Sequence, residues 1–126
     1  MARLAVLSYH TSPLAQPGTG DGGGMNVYVR ELSSALARLG HEVDVYTRRD
    51  NPHTRDIEFV EPGFRVHHVT AGPATPLDRE GLTDYVGEFT DTVKTLFRCS
   101  GTPDAIHANY WLSGLAGHRL KHELNI

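Results

Sequence analysis

The stretch from Pro13 to Gly24 constrains this chain more than any other, because Pro13, the pair Pro17-Gly18, Gly20 and the run Gly22-Gly23-Gly24 suit neither a helix nor a strand. A loop is therefore forced between two strongly patterned segments. Upstream, Ala2 to Ser8 is a nearly continuous apolar run, the signature of a strand buried on both faces of a parallel sheet. Downstream, Tyr28, Leu32, Ala35 or Leu36, and Leu39 recur at spacings of three and four, which predicts an amphipathic helix from Asn26 with Gly40 as its left-handed cap. Glu42 to Thr47 then alternates as a strand and is closed by Arg48, Arg49, Asp50, Asn51 and Pro52. Strand, long glycine loop, helix and strand make one βαβ unit, right-handed by the general rule. Its first connection is far longer than the ~2–6 residues usual between a strand and a helix.

The rest of the chain continues the alternation. Ile57 to Val60 and Arg65 to Val69 flank Pro62-Gly63 and predict a hairpin or an edge extension. Leu82, Val86, Phe89, Val93 and Leu96 predict a helix that ends before Gly101 and Pro103. Ala105 to His107 reads as a third parallel strand and Leu112, Ala116, Leu120 and Leu124 as a last helix, with Asn125-Ile126 as the first step of a further strand. The expected fold is an α/β, Rossmann-like, doubly wound and mostly parallel sheet, with residues 1–126 as one domain. Ligands of such sheets sit beyond the carboxyl ends of the strands. The informative residues should then follow Ser8 and His107.

Composition narrows the function classes. At 126 residues and 39% hydrophobic content there is room for one modest core. The formal net charge of −3, with no block of Lys or Arg, gives no footprint for nucleic acid. Apolar runs fall far short of the ~20 residues that span a bilayer, so no integral membrane segment is expected and the cytoplasm is the expected setting. Cys99 stands alone, which excludes an internal disulfide, and no nearby His marks it as a nucleophile.

The histidines are read as non-ligands. His118 and His122 have the spacing of a metal pair, but no Glu adjoins His118 and no third ligand is evident, so both are expected at the surface. His67 and His68 fall on opposite faces of a strand, and His107 reads as a hydrogen-bonded residue at a strand end. No metal is expected, since carboxylates are not clustered as a metal-diphosphate site requires. A serine hydrolase is excluded by the lack of a G-x-S-x-G elbow.

Gly18 to Gly23 is literally G-x-G-x-x-G, yet the glycines begin about ten residues after the strand instead of forming its exit turn, and no acid after Thr47 is placed to hold a ribose. A dinucleotide-binding oxidoreductase keeps only the Arg48-Arg49 pair in its favour. What the glycines do permit is close approach of bare backbone N–H groups to phosphate or sugar at a helix start. A plain surface loop and a non-catalytic binding module stay open as alternatives.

Two motifs then point to one family. His10-Thr11-Ser12-Pro13-Leu14, Gln16 to Asp21, and Gly22 to Val29 resemble the opening of the family-4 retaining glycosyltransferases. Ile106 to Gly114 is similar to a later motif of the same proteins. The resemblance implies a GT-B architecture of two Rossmann-like domains. This chain would be the front part of the acceptor-side domain, with the donor-binding domain beyond Ile126. It implies transfer of a hexose unit, with retention, from a nucleoside-diphosphate sugar to an inositol phosphate or sugar phosphate. The nucleotide sugar is a co-substrate, and no cofactor is implied.

Carried over by position, the resemblance implies that His10, Asp21, Gly22, Gly23, Gly24, Met25, Asn26 and Tyr110 contact the acceptor, while Gln16, Pro17 and Gly24 approach the donor. His10 and Gly24 are the candidates for direct participation in catalysis. Arg79 falls where relatives acting on an inositol phosphate carry a lysine, and Asn109 where they often carry histidine. Trp111 is expected to pack under the last helix, with sugar stacking as its other reading. If the sheet has the usual order, the strand at Ala105 to His107 is left as an open edge, and self-association as a homodimer through it is expected.

Overall fold

The structure, a computed structural model, describes residues 1–14 and 25–126. Its elements are β1 (Arg3–Leu7), α1 (Met25–Arg38), β2 (Glu42–Arg48), β3 (Ile57–Glu61), β4 (Phe64–Val69), α2 (Arg79–Ser100), β5 (Ala105–Ala108) and α3 (Trp111–Leu124). The strands form one sheet in the order β3-β4-β2-β1-β5. β1 lies parallel to both β2 and β5, β2 is parallel to β4, and only the hairpin strand β3 runs antiparallel. This is the Rossmann-like α/β fold that the sequence pattern implies.

Strand alternation divides the core in two. Val6, Val43, Val45, Phe64 and Val66 point to one face and bury Val29 of α1. Ala5, Leu7, Tyr46 and Val69 point to the other, where Phe89, Val93 and Phe97 of α2 and Leu112, Ala116 and Leu120 of α3 cover them. Helices therefore close both faces, as a parallel sheet requires.

Local chemistry sets the ends of the helices. Asp78 caps α2, its carboxylate accepting from the Gly81 N–H at 2.8 Å, and Gly101 ends the helix at φ 108° with its N–H donating to the Phe97 carbonyl. Gly40 closes α1 at φ 95°, the left-handed cap expected of it.

Two expectations are corrected. The most buried residues of α1 are Asn26, Val29 and Ser33, and Leu36 of the expected stripe packs with Ala37 against the same cluster, whereas Tyr28 (50% exposed) and Leu39 (75% exposed) face outward. Asn125 and Ile126 do not start a strand: Asn125 takes the left-handed conformation and caps α3 through its N–H to the Lys121 carbonyl.

Candidate functional site

A cavity of about 600 Å³ opens where the carboxyl ends of β1 and β2 meet the start of α2 and the entry to α3. His10 reaches it directly after β1, and Tyr110 directly before α3. Their rings pack at a centroid distance of 4.4 Å and 32° between planes. Tyr110 holds this place with φ at 72°, a left-handed backbone that a non-glycine residue adopts at a cost of about 1–3 kcal/mol. Such strain is characteristic of binding sites, where the surrounding fold holds one side chain in a required position.

Arg79 is the first residue of α2 and completes this wall of the cavity. A cation in the first turn of a helix opposes the helix dipole, so the position is poor for stability and well placed to share an anion with the helix start. Thr11, Ser12, Thr47, Asn51 and Thr54 supply hydroxyl and amide groups around the cavity, and Asp50 and Glu58 supply carboxylates. This mixture of one exposed guanidinium, an aromatic pair and many neutral polar groups suits a polyhydroxy compound bearing a phosphate.

The structure thus brings together His10, Arg79 and Tyr110. Asn26 is buried in the first turn of α1, at 1% exposure, and does not belong to the wall made by the described residues. Met25 begins the same helix. Gln16, Pro17, Asp21, Gly22, Gly23 and Gly24 lie outside the described residues.

Asn109 is buried beneath the site at 6% exposure, its N–H donating to the Leu7 carbonyl and its Nδ2 without an acceptor among the described residues. Trp111 is 56% exposed, correcting its expected burial. As the first residue of α3 it projects outward, and the next residue, Leu112, takes the core position. His118 and His122 are both exposed and touch edge to face at 4.4 Å. His107 is exposed on the edge strand. Among the described residues, no three His, Cys, Asp or Glu side chains come together as metal ligands would.

Two residues of the cavity lining are ones that sequence reasoning missed. The guanidinium of Arg48 is buried and donates to the carbonyls of Arg49 (2.9 Å), Pro73 (3.0 Å) and Thr75 (2.6 Å). Arg49 likewise binds Thr54, Asp56 and the His68 carbonyl. The pair that had favoured a dinucleotide phosphate is thereby committed to the protein's own oxygens. Tyr9 is the other: its hydroxyl donates to the Leu82 carbonyl at 2.5 Å, and its N–H to Ser113 Oγ at 2.9 Å. Burial pushes its phenol up to about 12, so it remains a hydrogen-bond donor across the physiological range. The two arginines at the end of β2 were the visible signal, but nothing in sequence shows which carbonyls they meet.

A doubly wound parallel sheet with a polar cavity beyond its carboxyl ends defines a Rossmann-like ligand-binding domain. The chain belongs to the glycosyl transferase 4-like domain family, whose model matches residues 23–126. It is 52% identical over 117 residues to the D-inositol 3-phosphate glycosyltransferase of Xylanimonas cellulosilytica, covering 91% of this chain and 28% of that protein. It is 45% identical over 125 residues to the enzyme of that name from Corynebacterium diphtheriae, covering 98% of this chain and 29% of that protein. Among solved structures, a sucrose-phosphate synthase from Thermosynechococcus elongatus superposes with a TM-score of 0.92 at 36% identity, covering 98% of this chain and 31% of that one. The chain therefore spans under a third of the length of these relatives.

Proposed function

We propose that this chain forms the acceptor-side part of a retaining GT-B glycosyltransferase, which moves a hexosyl group from a nucleoside-diphosphate sugar to a hydroxyl of a polyol phosphate or sugar phosphate. The observation that carries the reading is the convergence of Arg79 and the packed His10–Tyr110 ring pair on one cavity. The names of the relatives support it, since one is a glycosyltransferase named for D-inositol 3-phosphate and the other a synthase named for sucrose phosphate.

On this reading Arg79 takes the acceptor phosphate, since a guanidinium can bond two phosphate oxygens at once. Tyr110 adds a phenolic donor without adding charge, and Thr11, Ser12 and Asn51 orient ring hydroxyls. His10, against the Tyr110 ring, borders the hydroxyl that attacks. Backbone amides at Gly23 and Gly24 would stabilise the departing diphosphate, and a second domain would hold most of the nucleotide sugar. Catalysis then rests on positioning and on electrostatic stabilisation of the leaving group. The reading keeps the cytoplasmic setting and the homodimer through β5 that the sequence suggests.

The test is a ligand-observed NMR titration of the chain with inositol 3-phosphate, fructose 6-phosphate and UDP, repeated on His10→Ala and Arg79→Ala. Saturable binding of one sugar or polyol phosphate, abolished in both variants, is the expected result. A folded chain that binds none of them overturns the acceptor assignment.

A further inference from the structure

The segment that delivers Arg79 to the cavity is held at two points, one on each side of that residue. On the N-terminal side, Arg48 grips the Pro73 and Thr75 carbonyls of the connection from β4 to α2. On the C-terminal side, the Tyr9 hydroxyl grips the Leu82 carbonyl in the first turn of α2. The two grips are joined, since the Arg48 N–H donates to the Tyr9 carbonyl at 3.2 Å. Tyr9 is also the neighbour of His10, and through Ser113 Oγ it ties down the first turn of α3, which follows Tyr110.

We infer that Arg48 is a positioning residue: it sets the location of Arg79, and through it the phosphate preference of the cavity, an inference that rests on the acceptor reading above. Its geometry is specific to arginine. One planar fork spans three carbonyls, which a lysine ammonium on a flexible stem does not reproduce. Its 5% exposure is also informative, because among the described residues no carboxylate lies within 4 Å of it. A buried cation held only by backbone carbonyls is a costly way to stabilise a loop. It is well suited to fixing that loop's position, because no carboxylate competes for the fork.

The test compares Arg48→Lys, Arg48→Met and Tyr9→Phe with the unaltered chain in two measurements. Hydrogen exchange reports whether the amides from 74 to 83 loosen in each variant while those of β1, β2 and β4 keep their protection. Binding of inositol 3-phosphate and of unphosphorylated inositol reports the phosphate preference. The expected result is faster exchange confined to 74–83 and about a tenfold loss of affinity for the phosphate ligand, with inositol binding little changed, in Arg48→Lys as well as Arg48→Met.

Unchanged exchange, or rescue of the preference by lysine, overturns the inference while leaving the acceptor reading in place. Equal weakening of both ligands marks a general structural defect and overturns it too. If the unaltered folded chain binds neither ligand, the acceptor reading fails, and the exchange pattern alone decides whether Arg48 places Arg79.

Discussion

Asp44 is the residue at which charge and burial meet most directly. Its carboxylate accepts from Arg65 Nε at 2.7 Å, Arg65 Nη2 at 3.1 Å and His67 Nε2 at 2.8 Å. Burial alone would raise its pKa, but the hydrogen bonds from His67 and Arg65 outweigh that and hold it at about 2. A carboxylate depressed on folding contributes stability above its unfolded pKa, near 4, and loses that contribution as pH falls through its folded value. The chain should therefore lose about 2 kcal/mol between pH 4 and pH 2 from this group. Asp44→Asn, followed by urea melts across that range, should flatten this limb of the pH profile while lowering stability at pH 7. Sequence showed that His67 and His68 face opposite ways, and they do. It did not show Asp44 as the neighbour of His67, because that contact depends on Asp44 lying opposite Arg65 and Tyr46 opposite His67 in the register of β2 and β4.

At the scale of elements, boundaries were legible and orientation was not. The end of α1 at Gly40 and of α2 before Gly101 follow from glycine's tolerance of positive φ, and the hairpin follows from Pro62-Gly63. The rotation of α1 does not follow from its apolar residues because two of its most buried positions, Asn26 and Ser33, are polar. For the site, the motifs led to His10, Arg79 and Tyr110, whereas the clamp of Tyr9 and Arg48 joins elements too far apart in sequence to be seen. The connection that this clamp holds has a second constraint at Gly72, which sits at φ 72° with its N–H donating to Glu88. A Cβ there would come within 2.6 Å of the Tyr85 ring. Gly72→Ala should accordingly cost about 2 kcal/mol or more, read as a lowered thermal midpoint.

For the molecule as a whole, β5 is the exposed feature. Among the described residues it pairs with β1 alone, most of its residues are exposed, and Trp111 and Leu115 lie exposed on the neighbouring helix. An edge of this kind offers unpaired backbone groups to another chain. Light scattering over a concentration series should show dimers increasing with concentration, and a strictly monomeric species at the highest concentration would refute the homodimer. The same topology has a consequence for synthesis. β1 lies between β2 and β5 in the sheet, with Leu4 facing Ala105 about a hundred residues further along the chain. One side of β1 thus stays bare during translation until β5 has been made, and Tyr110 arrives later still. A nascent chain can therefore assemble its hairpin and its first helix early, yet has no Tyr110 ring to close on His10 until β5 has been translated.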